Sequence, residues 1–344
     1  MTKKQIQFSS SATTFYFDAS FDELEKITSK DSAILLTDEN IFAKQKKKFT
    51  GWQTIVVKAG EQYKNQSTVD DVIGQMIGLG ADRKTTLIGV GGGVITDMAG
   101  YIAGVYMRGI ACGFVPTSIL AMVDACIGGK NGVDVGVYKN MVGLIRQPSF
   151  LLYDYSLLTS LPKQEWSNGF AEIIKHAAIK DAAMFKILEE HKLSDYQKDK
   201  ELLSKLIQRN ALLKSKVVVE DEFEQGERKL LNYGHTLGHA IENDYQLPHG
   251  FAISIGMVAA AHISEQYTGF SATEKLVKVL KQYGLPTFLK FNADKALQNM
   301  MADKKRFKKE LHYILLEKIG KAVIQPLSIE EARAAMPPTP EGKL

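Results

Sequence analysis

Short, nearly continuous apolar runs alternate with longer stretches whose apolar positions recur every three or four residues, and this alternation fills the first half of the chain. Residues 33–37 (AILLT), 54–58 (TIVVK), 85–90 (TTLIGV) and 113–116 (GFVP) have the pattern of strands buried on both faces. Between them, residues 70–79 and 94–107 carry helical spacing. Strand–helix alternation predicts an α/β domain with a largely parallel sheet, its last strand at residues 150–153 (FLLY).

After Pro162 the texture changes. Helical patterns occupy residues 165–179, 182–191, 200–219, 230–243, 251–267 and 272–283, and strand signals return only at 313–316. A boundary near residue 156 is expected, dividing an α/β domain (1–156) from a mostly α-helical C-terminal domain (157–344). The polar, Pro-rich tail MPPTPEGKL predicts frayed chain.

Composition narrows the function classes. The 344 residues are 45% hydrophobic and 24% charged, ordinary for a soluble globular protein, and too many for one comfortable core. A formal charge of +4, with no basic stripe interleaved with aromatics, argues against nucleic acid and suits an anionic small substrate. Cys112 and Cys126 have neither zinc-knuckle nor redox-pair spacing, so a reducing compartment is expected. The N-terminus MTKKQIQFSSS lacks the apolar core of a signal peptide, and the longest apolar stretch, residues 251–261, is too short to span a bilayer. A cytoplasmic protein without membrane or nucleic-acid partners is the expectation.

The strand TTLIGV runs into Gly91-Gly92-Gly93 and then a helix opening at Val94. A strand, a glycine turn and a helix N-terminus form a phosphate cradle, because unpaired amides point at the anion. The triplet alone also fits a tight turn that binds nothing. The order differs from the usual dinucleotide fingerprint, in which an acid follows the glycines by about 20 residues. Here the best ribose-binding acid, Asp38, precedes them. A second segment, DACIGGKNG from Asp124, is not a P-loop, because Asn131 follows the lysine where Ser or Thr is required. Lys130 is then a substrate or cofactor contact, or simply part of a flexible loop.

NYGHTLGH from Asn232 puts His235 and His239 four apart on one helix face. That spacing suits a metal pair, and equally two satisfied core histidines. His249 follows, and Glu172 sits in the apolar helix FAEIIKHAAI, where a carboxylate is costly unless paired or bound to metal. Two or three histidines with one glutamate would make an open catalytic zinc site. Lys139, Lys175, Lys214 and Arg228 lie near these motifs in sequence, although any one helical lysine is usually a solvated group. An open metal, a dinucleotide cradle and several cations suggest a substrate carrying phosphate and carboxylate.

GGGVITD, YMRG, VPTS, VDACIGGKNG, YKNMVG, FAEIIK, LNYGHTLGHAIE, PHG and DKK occur in that order from about residue 33 to 320, and together they resemble the 3-dehydroquinate synthase family. The resemblance implies a Rossmann-like N-terminal domain and a helical C-terminal one. It implies that Glu172, His235 and His249 bind zinc, with cobalt as a substitute, and that His239 faces substrate. It implies that NAD is held by Asp38, Asn40, Gly60, Glu61, Lys64, Gly92, Gly93, Val94, Asp97, Thr117, Ser118, Lys130, Lys139 and Ser160. Arg108, Asp124, Lys130, Lys139, Asn140, Lys175, Lys214, Arg228 and Asn232 would line the substrate pocket, with one lysine of Lys304 and Lys305 reaching in.

The chain departs from the family pattern in places. Thr96 replaces a glycine, Ala125-Cys126 a Ser-Ser pair and Asn131 a threonine; Ser118 and Ser160 replace threonines, and Phe251 stands where a glutamate commonly follows His249-Gly250. The implied reaction turns a sugar phosphate, 3-deoxy-D-arabino-heptulosonate 7-phosphate, into 3-dehydroquinate with loss of phosphate, through transient oxidation by NAD. Lys130, Lys175, Lys214 and His239 would handle charge and protons, and a homodimer is the family's common state. Three other readings stay open: a cyclase making inosose or valiolone rings, a metal-dependent polyol or glycerol-phosphate dehydrogenase, and a catalytically dead NAD-binding partner protein.

Overall fold

The computed structural model describes residues 1–136, 138–292, 295–296, 310–328 and 330–331. Two compact units emerge: Met1–Trp166 with Leu203–Phe223, and Ser167–Leu202 with Glu224–Leu344.

The first unit is built on a seven-stranded sheet. Its strands are β1 (Thr2–Gln7), β2 (Ala12–Phe17), β3 (Ala33–Asp38), β4 (Gln53–Val57), β5 (Thr86–Gly91), β6 (Ala111–Pro116) and β9 (Phe150–Leu152), in the order β1-β2-β9-β6-β5-β3-β4. All neighbours are parallel except the β1–β2 pair. The remaining strands, β7 (Lys130–Val135) and β8 (Tyr138–Ile145), form a separate antiparallel pair. Four of the five strands expected from the sequence are central, and their runs of Leu, Ile and Val are buried on both faces. β1 and β2 carry no such signal: β1 is almost wholly exposed and β2 alternates.

Helices α1 (Glu39–Gln45), α2 (Gln66–Gly78) and α3 (Gly93–Val105) connect the strands. Asp38 ends β3 and caps α1, its Oδ1 accepting from the amides of Asn40 and Ile41 at 2.9 and 3.0 Å. The helix expected to run to Met107 stops at Val105, because Met107 and Arg108 take left-handed φ of 49° and 66°. The core of the unit gathers Leu35, Ile88, Val90, Val115 and Leu152 around the sheet.

Helices α4 (Lys163–Lys180), α5 (Ala182–Glu190), α6 (Leu193–Lys198), α7 (Lys200–Glu220), α8 (His235–Glu242), α9 (His249–Tyr267) and α10 (Thr273–Gln282) follow, then an antiparallel pair β10 (Glu310–Lys318) and β11 (Lys321–Ser328). Most of α7 belongs to the first unit, while α5, α6, α8, α9, α10 and the β10–β11 pair belong to the second. The single helix expected over residues 230–243 is broken. A short 3-10 turn, Glu227–Asn232, is separated from α8 by Gly234 at φ +79°. A side chain at Gly234 would also strike Met257 and the Ile253 carbonyl, so a glycine is needed there twice over. Ile241, Ile255, Ile263, Leu315 and Leu327 share the core of this unit. No helix among the described residues is long and apolar enough to cross a membrane.

Candidate active site

The first unit places its sequence-selected residues at the carboxyl ends of parallel strands. β3 is flanked by β4 on one side and β5 on the other, so the chain reverses direction across the sheet between β4 and β5. Ligands of open α/β sheets bind at such switch points, outside the carboxyl ends of the strands. Asp38 ends β3 and the glycine turn ends β5, the two strands being hydrogen-bonded neighbours. The reversed order of acid and glycines in the sequence thus brings the two together at one sheet edge. Thr117, just past β6, donates its amide to the Gly91 carbonyl at 2.9 Å, so it joins the same edge.

Each glycine has its own reason. A side chain at Gly91 would meet Ile95 at 2.6 Å, so this glycine lets α3 lie against its strand. Gly92 is the N-cap of α3, with no side chain to cap it, and a Cβ there would meet only Ser118 Oγ, at 3.5 Å. The first amides of α3, at Gly93, Val94 and Ile95, therefore open toward whatever occupies that space. Ser118 Oγ accepts from the Ala121 amide at 3.2 Å. Ser160 lends its carbonyl to Lys44 of α1 at 3.2 Å. Asn40, Gly60 and Glu61 are exposed.

Beside this edge a buried cation is held by two acceptors. Lys64, 4% exposed, donates to Asp97 Oδ2 and to Asn140 Oδ1, both at 2.7 Å. Burial works against the charged lysine, but Asp97 and Glu61 outweigh it and hold its ammonium above the ordinary lysine range. Burial also raises the Asp97 carboxyl, with Lys64 opposing. A second pair lies in the same unit. Lys214 of α7, buried, donates to the Asp124 carboxylate at 2.7 Å and to its carbonyl at 2.8 Å. Asp124 sits on a single π-helical turn, Ala121–Ala125, a feature frequent at functional sites. Arg108, Lys130 and Lys139 are exposed on the same unit.

In the second unit Glu172, His235 and His249 converge. Glu172 Oε1 lies 3.8 Å from His235 Nε2 and 3.5 Å from His249 Nε2, and its carboxylate is fully buried. The other ring nitrogen of each histidine is tied down. His235 Nδ1 is 3.1 Å from the Tyr233 carbonyl oxygen, which can only accept, and His249 Nδ1 is 3.3 Å from Glu242 Oε2. His235, whose Nδ1–H is used on that carbonyl, therefore presents the lone pair of Nε2 to a carboxylate oxygen, and His249 turns its Nε2 to the same oxygen. Lone pairs so arranged repel unless a proton or cation stands between them.

The protonation equilibria reflect this geometry. Burial, then the Lys175 ammonium, holds His235 well below the usual imidazole range, so it stays neutral as a metal ligand must. Burial opposes charge on His249 too, but the carboxylates of Glu172 and Glu242 outweigh it and push the ring up to about 9. Lys175 is paired with Glu172, and both are buried. The donor set, two imidazole nitrogens and one carboxylate with the histidines oriented from behind, fits a divalent ion of the zinc type with an open coordination position. His239, Glu242 and His249 also have ligand atoms within 4.8 Å of one another, so the histidine pair read from spacing shares one locality with His249.

Small residues make this convergence possible. A side chain at Gly256 would lie 1.9 Å from the Gly234 carbonyl, and one at Gly238 2.7 Å from Ile253, so α8 and α9 touch along glycines. Gly250 packs on Asn168 at the same level as His249, one turn of α4 from Glu172. Arg228 is buried, and Asn232 donates to Glu224 Oε1 at 2.6 Å. Lys304 and Lys305 lie outside the described residues. Glu242, Asn168, Glu224 and Asp134 were not singled out from sequence. Glu242, one turn after His239, had a helical-spacing signal that could have found it, whereas the others had none.

Comparison with known proteins points the same way. Family models described as "3-dehydroquinate synthase N-terminal" and "3-dehydroquinate synthase C-terminal" match residues 54–168 and 169–306. A 3-dehydroquinate synthase of Pyrococcus abyssi is 39% identical over 278 residues, covering 80% of this chain and 82% of the relative. One of Leptospira interrogans is 35% identical over 322 residues, covering 90% of this chain and 89% of the relative. Among solved structures, a 2-deoxy-scyllo-inosose synthase complexed with carbaglucose-6-phosphate, NAD+ and Co2+ superposes with a TM-score of 0.85 at 27% identity, covering 97% and 98% of the two chains. Motifs, strand order, the paired histidines and these matches across nearly the whole length agree: the chain belongs to the 3-dehydroquinate synthase family.

Proposed function

We propose that this chain is a 3-dehydroquinate synthase, a phosphate-eliminating lyase that converts 3-deoxy-D-arabino-heptulosonate 7-phosphate to 3-dehydroquinate and phosphate, in the shikimate route to chorismate and aromatic amino acids. Family membership supports the reaction. The observation that carries it to the residues is the convergence of Glu172 Oε1 with the Nε2 atoms of His235 and His249.

We assign Glu172, His235 and His249 to zinc, with cobalt able to replace it. NAD is assigned to Asp38, Asn40, Gly60, Glu61, Lys64, the α3 N-terminus at Gly92–Val94, Asp97, Thr117, Ser118, Lys130, Lys139 and Ser160. When bound, NAD+ supplies a hydride acceptor that later returns the hydride, and zinc a Lewis acid for the substrate hydroxyl. The related inosose synthase was crystallised with NAD+ and Co2+, which supports both assignments.

The chain's own groups do the rest. Lys214, fixed by Asp124, and the exposed Lys130 offer ammonium groups to an anionic substrate. Buried Arg228, with Asn232 braced by Glu224, suits the substrate carboxylate. Lys175 pairs with Glu172, and the exposed His239 offers a ring nitrogen for proton transfer. Arg108, Asn140 and Lys304 complete the substrate set. In this reading residues 1–156 form the NAD-binding domain, residues 157–344 hold the metal and most of the substrate-binding groups, and the protein works as a cytoplasmic homodimer.

A second reading, another sugar-phosphate cyclase, draws on the inosose synthase neighbour. Its substrates lack the carboxylate that Arg228, Asn232 and His239 would recognise. The test is product identification by mass spectrometry after incubation with the heptulosonate phosphate, or with glucose 6-phosphate, in the presence of NAD+ and zinc. Dehydroquinate from the first substrate alone is expected; an inosose from the second would replace this reading with the other.

A further inference from the structure

The β7–β8 pair breaks register between Val133 and Val135: Val133 faces Val142, but Val135 faces Tyr138. Opposite Asp134, β8 thus has residues 139–141 to accommodate, and Asn140 among them takes a left-handed φ of 54°. An amide at such a bulge has lost its ladder partner. Asp134 supplies one: its Oδ1 accepts from the Asn140 N–H at 2.7 Å. The backbone of Asp134 is engaged as well, its N–H donating to the Lys64 carbonyl at 2.8 Å. Asn140 in turn offers Oδ1 to Lys64 Nζ at 2.7 Å, and Lys64 pairs with Asp97. One residue therefore joins the Lys64 main chain to the side chain that receives the Lys64 ammonium.

We propose that Asp134 is a positioning residue, which holds Asn140 in its left-handed conformation and through it fixes Lys64 for cofactor and substrate. This rests on the reading above, in which Lys64, Asp97 and Asn140 serve the site. Asp134 acts through Asn140 and Lys64, its hydrogen-bonded neighbours, and not on the reacting atoms themselves. Its effect is to spare Asn140 and Lys64 the ordering that binding would otherwise demand.

The test measures NAD+ affinity by titration calorimetry, together with kcat/KM and Tm, in the full-length zinc-loaded enzyme. Asp134→Ala is expected to weaken NAD+ binding and lower kcat/KM by about ten-fold, the scale of one lost hydrogen bond to a positioned group. Asp134→Asn keeps an acceptor oxygen at the same place and is expected within roughly three-fold of wild type. Asp134→Glu keeps the charge but displaces the acceptor, so it serves as the folded second variant and should fall with alanine. Asn140→Ala should cost as much as Asp134→Ala, and the double variant no more than either.

Additive losses in the double variant, an Asp134→Glu enzyme that binds NAD+ like wild type, or Asp134→Asn as damaged as alanine would each overturn the proposal. A change in Tm alone, with affinity and kcat/KM intact, would overturn it too, as a purely structural role. Wild-type protein that binds no NAD+ would overturn the functional reading, and this proposal with it; additivity in a wild type that does bind overturns this proposal alone.

Discussion

The Gly250 N–H donates to Asn168 Oδ1 at 2.5 Å, and the hydrogen that stands for a side chain on Gly250 points at the Asn168 carbonyl. This contact seats the start of α9, and with it His249, against α4 one turn before Glu172. A Cβ at Gly250 would lie 2.1 Å from that backbone oxygen, which cannot turn aside as a flexible side chain could. Gly250→Ala is expected to destabilise the protein by about 1–3 kcal/mol, as overpacking does, and to lose bound zinc. Tm and metal content after gel filtration check this; an alanine variant that retains one zinc and its Tm would contradict it.

Glu242 orients His249 from behind, its Oε2 3.3 Å from Nδ1. Removing such a partner typically costs 10–100-fold in metal affinity, so Glu242→Gln should weaken zinc binding by roughly that factor. Competition with a chromophoric chelator gives the value. Unchanged affinity would mean that His249 is held by packing alone.

Asp154 ties together the first unit: it accepts from the Phe21 amide at 3.0 Å, pairs with Lys48 at 2.9 Å and caps the turn that follows it through Ser156. Burial opposes its ionised form, but Ser156, Lys48 and the Phe21 amide outweigh this and hold the carboxyl below its ordinary value of 3.8. A depressed folded-state value means that its stabilisation is fully present above the unfolded-state pKa and is lost as pH falls through the folded one. Asp154→Ala should lower stability by about 1–3 kcal/mol at pH 7. The gap between variant and wild type should begin to narrow below about pH 4 and keep narrowing as pH falls through the folded-state value. Denaturant melts at pH 7 and pH 3 measure it; a gap that stays constant would refute the electrostatic account.

Cys112 and Cys126 are both buried, and burial pushes Cys112 up to about 11 and Cys126 further still. Neither thiolate is available at neutral pH. A thiol-reactive chromogenic disulfide at pH 8 should label neither in the native protein and both after denaturation. Rapid native labelling of Cys126 would show that the segment opens.

What could be read in the sequence follows from what each element buries. The central strands announced themselves because parallel strands covered on both faces are apolar without interruption, as in Leu35-Leu36 and Leu87-Ile88. β1 was invisible for the opposite reason: at a sheet edge, TKKQIQ exposes nearly every side chain. β7 and β8 hid behind the glycines of GGKNG, whose loop-like composition masks a paired ladder. Helical spacing bridged Gly234 because periodicity does not register a single left-handed residue. Asp38 precedes the glycine turn along the chain, the reverse of the usual dinucleotide order, and only the β3–β5 pairing makes them neighbours. The metal-type cluster was legible as residue types. Asn168 depends on a contact far along the chain and Asp134 on a bulge, and local pattern does not encode those, whereas Glu242 lay within reach of helical spacing from His239.

The most direct test follows inorganic phosphate and NADH absorbance together, with purified enzyme, zinc, the heptulosonate phosphate and a catalytic amount of NAD+. The account predicts stoichiometric phosphate release with no net accumulation of NADH, abolished by a chelator and restored by zinc or cobalt. NADH that builds up while phosphate stays on the substrate would contradict it and assign the chain a dehydrogenase reaction instead.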